Sequence, residues 1–181
     1  MPGAKGQAQR QVNGASGNLT DGDYRALAER WIDRATADAA GLPRVDSAEG
    51  TQPQLVGRSE SAGKSYAGLA IPYVRIGETR VRECRLRRDH PDLELRPDGS
   101  KREKGKYLSP PGRSSLIYFP HRIGLQQLVD AALPLVFTEG EFKAIALDRL
   151  ARHESDELRF VAIAIPGVWN WPRYGRQDRG A

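Results

Sequence analysis

The chain has 181 residues, of which 39% are hydrophobic, with a formal net charge of +5 and an isoelectric point near 9.6. No apolar run approaches the roughly twenty residues that a membrane-spanning helix needs, and residues 1–18 lack the apolar segment of a secretory signal, so we expect a cytoplasmic protein with no membrane partner. The single cysteine, Cys84, excludes an intramolecular disulfide and a cysteine-based zinc site.

The N-terminal part of the chain contains one predicted helix between two polar segments. Residues 1–18 are rich in Gly, Gln, Ala and Ser, which predicts a disordered tail. Apolar side chains at helical spacing predict a helix over residues 21–39, with Trp31 packed in the core. Residues 44–67 are polar and rich in Gly and Ser, which is typical of a linker or a long loop. We expect residues 19–67 to form this helix and linker.

Residues 68–124 are predicted to form a basic, β-rich subdomain. Alternating and continuous apolar side chains predict a β-hairpin over residues 68–88, with its arginines on the solvent side. Residues 89–104 are polar and carry turn residues, which predicts an exposed loop. A further short strand is predicted over residues 116–120.

The following segment has the pattern of a βαβ unit. An amphipathic helix over residues 124–133 leads to a buried apolar strand over residues 135–137, which stops at Glu139-Gly140 and turns helical. A second apolar run, residues 160–165, repeats the strand pattern, and strand, helix and strand within roughly thirty residues have the size of one parallel βαβ unit. The sequence therefore predicts an α/β protein, in which an α+β basic subdomain precedes a partial βαβ unit over residues 125–171.

Glu139 is the sharpest candidate for a functional residue, because open α/β sheets bind ligands at the carboxyl ends of their strands. Gly140 allows a tight turn and lets a charged ligand approach the start of the following helix. An ordinary strand-to-helix turn is the alternative interpretation, since acidic residues such as Glu141 favour helix N-termini in any case. A carboxylate here suits Mg²⁺, although one carboxylate alone does not make that site.

The predicted hairpin offers a candidate phosphate-binding set. Arg85 and Arg87 share one face by the period of two, and Lys106 joins them. Acidic residues interrupt the same stretch, so a solvated charged face is the alternative. Farther on, Trp169 and Trp171 would stack nucleic-acid bases if exposed, although packing is the commoner fate of tryptophan.

The motif around Glu139 resembles the first motif of the toprim domain, which replicative primases, topoisomerases and related nucleases share. It reads Leu135-Val-Phe-Thr-Glu-Gly-Glu-Phe-Lys-Ala-Ile-Ala-Leu147. Upstream, the segments at Ile71-Pro-Tyr73, Arg85-Leu-Arg87, Lys106–Pro110 and Leu116–Pro120 are similar, in their order, to the basic subdomain that precedes toprim in bacterial and phage primases. Downstream, residues 165–171 resemble a segment of uncharacterised toprim-like domains in phage and plasmid primase-like proteins. Together these similarities cover about residues 19–171.

This resemblance implies that Glu139 is a catalytic or metal-linked acid with Mg²⁺ as cofactor, and that Glu141 is an auxiliary acid. The implied partners are single-stranded DNA or a primer-template, together with a replicative helicase. The implied nucleic-acid contacts are Arg85, Arg87, Lys106, Lys143 and Trp169. Two family features are missing from the sequence, namely a later strand with an Asp-x-Asp pair and the cysteine cluster of the primase zinc module.

The sequence thus predicts a DNA primase-like replication protein in a C-terminally truncated or catalytically incomplete form, in which residues 172–181 are a frayed tail. We expect weak or no primer synthesis from it. Two other functions stay open. One is a non-catalytic nucleic-acid-binding module, and the other is a nucleotide-phosphate-binding domain that uses the turn at Gly140.

Overall fold

A computed structural model of the chain describes residues 17–53, 55–57, 63–112, 116–120, 123–153 and 157–165. The predicted N-terminal tail up to residue 16 and residues 166–181, with Trp169, lie outside the described residues. The fold is mixed α/β, as predicted. Its helices are α1 (Asp21–Ala28), α2 (Arg34–Ala40), α3 (Ser47–Gly50), α4 (Leu125–Val129) and α5 (Glu141–Ala151). Its strands are β1 (Arg44–Val45), β2 (Gly68–Val74), β3 (Val81–Arg88), β4 (Asp92–Leu95), β5 (Lys101–Lys104), β6 (Tyr107–Leu108), β7 (Leu135–Glu139) and β8 (Val161–Ile165).

The single N-terminal helix predicted from the sequence is instead two helices, α1 and α2, joined by a turn at Trp31. Asp33 caps α2 by accepting a hydrogen bond from the N–H of Thr36 (2.8 Å), a local bond that competes with a continuous helix. The turn buries Leu27 and Ile32 in the core. Trp31 itself is 73% exposed, so the prediction that it packs in the core is wrong.

Four antiparallel strands in the order β1-β2-β3-β6 form the central sheet. β2 and β3 are the predicted hairpin, with Ile71 opposite Arg85. The segment before β2, predicted as a linker, instead contributes β1, α3 and the buried side chains of Val45, Leu55 and Val56. These few apolar residues pack with Leu86 in one cluster, which holds the segment in place.

The hairpin arginines do not all face solvent, contrary to the prediction. Arg88 is only 2% exposed. Its guanidinium donates to the carbonyl oxygen of Ser65 (2.7 Å) and to a carboxylate oxygen of Asp92 (3.0 Å). The buried charge of Arg88 is tolerated because the N–H groups of its guanidinium have hydrogen-bond acceptors.

The predicted exposed loop before β6 is exposed but contains a two-stranded ribbon, β4 and β5, whose register runs from Asp92↔Lys104 to Leu95↔Lys101. The ribbon turns at residues 96–100, where Gly99 has a φ of 79°. The N–H of Arg96 donates to the carbonyl oxygen of Ser100 (2.8 Å). β4 alternates polar and apolar residues over only four positions, and β5 contains no apolar residue, so the strand signal of the ribbon is weak.

The βαβ unit is confirmed: β7 and β8 are parallel, with Leu135 opposite Val161 and Glu139 opposite Ile165, and α5 connects them. β7 is less buried than predicted, since Leu135 and Phe137 are 44% and 54% exposed. β8 is the buried strand of the pair. The predicted strand over residues 116–120 is reduced to a bridge, in which Tyr118 and Ala164 exchange hydrogen bonds of 2.9 and 3.0 Å.

One hydrophobic cluster joins the N-terminal helices, the central sheet and the βαβ unit. It includes Leu27, Ile71, Tyr73, Tyr118 and Ile145, and the rings of Tyr73 and Tyr118 meet edge to face with centroids 5.3 Å apart. This shared core fixes α1, β2 and α5 relative to one another, and β3 is held beside them by its pairing with β2. Within the part of the chain that the structure describes, no helix has the length and apolar character needed to cross a membrane.

Candidate functional site

The candidate site is a cavity of about 520 Å³ at the carboxyl end of β7 and the first turn of α5. The side chains that define it come from four parts of the chain, namely the α1–α2 turn, β3, β6 and the β7–α5 junction. They are Arg30, Arg85, Tyr107, Glu139, Glu141 and Lys143. The cavity thus brings together three cationic side chains and two carboxylates.

Gly140 makes the sharp change from strand to helix possible. Its φ is 90°, in the region that L-residues rarely adopt, and a Cβ atom placed on it would meet nothing within 4 Å. The conformation, and not lack of space, therefore requires glycine here. The N–H of Gly140 donates to the carbonyl oxygen of Ile165 (3.3 Å), which ties the turn to the end of β8.

Glu139 and Glu141 lie on either side of this glycine in opposite environments. Glu139 is exposed and lines the cavity. Glu141 is only 3% exposed, and its Oε1 accepts hydrogen bonds from Tyr73 Oη (2.5 Å) and Arg85 Nη1 (2.8 Å). Glu141 is thereby committed to a link between the central sheet and α5, which does not fit the implied role of auxiliary acid.

The charges around Glu141 shift the pKa values of its partners. Burial raises the pKa of Tyr73, and the charge of Glu141 and its hydrogen bond raise it further. Burial lowers the pKa of Arg85, but the charge of Glu141 and the hydrogen bonds that Arg85 makes with Glu141 and Tyr73 outweigh burial, so the pKa is raised. Tyr73 therefore stays a neutral donor and Arg85 stays a cation over the physiological range.

Arg85 combines this structural role with a place at the cavity wall. Its guanidinium carbon lies 5.1 Å from the centroid of the Tyr107 ring, within the range of a cation–π contact. Its Nε is buried and, among the described residues, has no hydrogen-bond partner. Arg85 is thus held rigidly by Glu141 on one side and Tyr107 on the other.

The other predicted contact residues separate into two groups. Lys143 is exposed in the first turn of α5 and lines the cavity together with Arg85 and Glu139. Arg87 is not part of the cavity lining, but its guanidinium carbon lies 5.9 Å from the centroid of the Phe142 ring, which is. Lys106 is paired with Glu103 (2.6 Å) and is not part of the cavity lining.

Arg30 is the charged cavity residue that the sequence did not indicate. It follows the last turn of α1, and its Nη1 donates to the carbonyl oxygen of Ala26. Its position depends on how α1 packs against the rest of the fold, and no local spacing links it to Glu139. Tyr107 lies in a segment that resembles primases, but nothing in the sequence indicates that its ring packs against Arg85.

The Mg²⁺ cofactor that the resemblance implies stays a prediction. The described residues contain no group of three or more Asp, Glu, His or Cys side chains placed to hold a metal ion. Glu139 is the one exposed carboxylate of the cavity, because Glu141 is buried and paired with Arg85. Mg²⁺ in proteins is usually held by one or two carboxylates plus waters and substrate phosphates, so Glu139 is the cavity residue that would hold it.

Comparisons with protein-family models, with curated proteins and with solved structures found no match. The resemblance to the toprim domain therefore stays a prediction from the sequence motifs.

Proposed function

We propose that this chain is a primase-like, toprim-containing replication protein that binds single-stranded DNA, and that the cavity beside Gly140 receives a backbone phosphate. The observation that carries the proposal is the convergence of Arg30, Arg85 and Lys143 at the N-terminal turn of α5. Cationic side chains and helix N-termini are the groups that bind phosphates in nucleic-acid-binding proteins.

The electrostatics of the α5 terminus support an anionic ligand. A helix N-terminus carries a partial positive charge, so a lysine in the first turn is unfavourable by about 0.3–1 kcal/mol when no anion is present. Lys143 occupies that first turn. A bound phosphate would offset this repulsion, because it would contact the N-terminus of α5, Lys143 and Arg30 together.

Within this proposal Glu139 is the acid beside the bound phosphate, and the chain alone is catalytically incomplete. In the cavity, Glu139 is the one exposed carboxylate, and the described residues contain no cluster of three or more metal-ligating side chains. Nucleotidyl transfer of the primase kind needs metal ions to position the phosphates and offset their charge. We therefore expect weak or no primer synthesis; robust Mg²⁺-dependent synthesis abolished by Glu139→Gln would contradict this part of the proposal.

Binding to a fluorescent dT20 oligonucleotide tests the phosphate site. Arg30→Gln and Lys143→Gln should each weaken binding, because each removes a cation from the cavity. Lys101→Gln is the matched control, since Lys101 is equally cationic and exposed but lies on the β4–β5 ribbon. Equal losses from all three variants would indicate diffuse attraction to a basic surface and would reject the cavity as the binding site.

A second candidate function is the binding of a free nucleotide without a polynucleotide partner. The cavity volume of about 520 Å³ favours it, because small-molecule sites usually measure about 300–1,000 Å³. Saturable binding of a mononucleotide that dT20 does not displace would support this candidate over the first.

A further inference from the structure

Trp31 is a large aromatic residue at an exposed position where glycine is usual. Its side chain is 73% exposed, and its φ of 63° places it in the left-handed region. In the described residues it is the one non-glycine with a positive φ. The N–H of Ile32 donates to the carbonyl oxygen of Leu27 (3.1 Å), so the left-handed residue closes the C-terminal end of α1, as a glycine often does. The fold thus accounts for the backbone conformation, but not for an exposed tryptophan at this position.

The backbone of Trp31 is fixed by its neighbours and not by its own side chain. The N–H of Trp31 donates to the carbonyl oxygen of Ala28 (2.9 Å), and its own carbonyl oxygen accepts from Arg149 Nη1 (3.0 Å). Arg149 Nε also pairs with Asp33 (3.0 Å), and the next residue, Ile32, is completely buried. The turn therefore fixes the backbone of Trp31 and leaves its indole exposed.

Two neighbouring residues connect Trp31 to the cavity. The preceding residue, Arg30, is part of the cavity lining. On α5, Ala146 lines the cavity, and Arg149, three residues farther along the same helix face, donates to the carbonyl oxygen of Trp31. Three helical residues rise about 4.5 Å, a distance within the reach of one or two nucleotides.

We propose that Trp31 is a stacking platform for a base of single-stranded DNA whose backbone phosphate occupies the cavity. This inference rests on the proposed function. The ligand is a nucleobase because the exposed indole directly follows the cationic Arg30, while Asp33 and Arg34 beyond it are paired with Arg149 and Asp21. A protein partner would need a broad apolar surface, whereas a base needs one π-face and a cation nearby for its phosphate.

The test compares dT20 with a 20-unit abasic oligonucleotide, which has the same phosphates but no bases. Trp31→Ala should weaken dT20 binding about five- to 150-fold, equivalent to roughly 1–3 kcal/mol for one stacked base, and leave the abasic affinity unchanged. Trp31→Phe should retain most of the dT20 affinity. In a protein with Trp169→Phe and Trp171→Phe, dT20 should quench the Trp31 fluorescence and the abasic strand should not.

The outcomes separate this inference from the proposed function. If Trp31→Ala binds both strands as the wild type does, or loses the same affinity for both, the stacking proposal is wrong. The phosphate site is then still tested by the cavity variants Arg30→Gln and Lys143→Gln. If the wild-type protein binds neither strand, the proposed function fails and the stacking site fails with it. Because Trp31 is exposed, circular dichroism should show Trp31→Ala folded, and a folded variant with full dT20 affinity rejects the proposal directly.

Discussion

At the scale of single residues, the most informative pair is Glu139 and Glu141, two identical side chains separated by one glycine. The sequence motif presents them as a pair of acids, but only Glu139 reaches the cavity as an exposed carboxylate. Glu141 is used to join α5 to Tyr73 and Arg85 on the central sheet. One acid is therefore available to a ligand and the other is part of the framework.

The two glutamates should respond differently to the same substitution. Glu141→Gln removes the counter-charge of a partly buried guanidinium, and breaking a buried ion pair costs about 3–5 kcal/mol; because Arg85 is partly exposed, we expect about 2–3 kcal/mol. Glu139→Gln should change the free energy of unfolding by about 0.5 kcal/mol or less, as exposed substitutions do. Urea denaturation of both variants measures this, and equal effects would contradict the assigned roles.

Asp23 provides a pH-dependent prediction. Burial raises its pKa, but hydrogen bonds from Arg44 and Thr20 outweigh burial and lower the pKa from 3.8 to about 2. A carboxyl group with a lowered folded-state pKa contributes stability that is present above pH 4 and is lost as the pH falls towards 2. The contribution is about 2 kcal/mol.

The wild type should therefore be more stable than Asp23→Asn at pH 5, and this difference in the free energy of unfolding should shrink by about 2 kcal/mol as the pH falls to 2. Asp21→Asn is the control, because Asp21 is exposed and forms a surface ion pair with Arg34. The difference in the free energy of unfolding between the wild type and Asp21→Asn should therefore change much less with pH. A constant difference between wild type and Asp23→Asn across this range would show that the Asp23–Arg44 contact does not determine the acid sensitivity.

At the scale of elements, the α1–α2 turn has a conformation that suits glycine. Trp31→Gly should be more stable than Trp31→Ala by about 1 kcal/mol, because alanine keeps the penalty of a positive φ and glycine does not. The same comparison has the opposite sign inside a helix, where Ala35→Gly in α2 should cost about 1 kcal/mol. Thermal unfolding of the three variants measures both effects, and a Trp31→Gly variant no more stable than Trp31→Ala would show that the turn is not strained.

The elements that the sequence predicted are those whose signals are local. The β7–α5–β8 unit was recognised because apolar runs end at Gly140 and helical spacing begins immediately. The break at Trp31 was missed because the apolar spacing continues through it, while the turn depends on burial of Leu27 and Ile32 against the rest of the fold. The β4–β5 ribbon has a weak strand signal, since β4 alternates over only four residues and β5 contains no apolar residue.

At the scale of the whole molecule, the cavity exists because one core holds distant segments together. The sequence could indicate Arg85, Glu139 and Lys143, since each belongs to a motif. It could not indicate Arg30 or Trp31, because their approach to α5 is set by the packing of α1 and α2. Of the other predicted contact residues, Arg87 and Lys106 are not in the cavity lining, although Arg87 lies next to Phe142, which is.

The most direct test of the central claim is the salt dependence of dT20 binding by the wild type and by the double variant Arg30→Gln, Lys143→Gln. Each cation that contacts a phosphate contributes about 0.7 to the slope of log affinity against log salt concentration for single strands. The double variant should therefore lose about 1.4 from the wild-type slope, while Lys101→Gln keeps it. A double variant with the wild-type slope would contradict phosphate binding in the cavity.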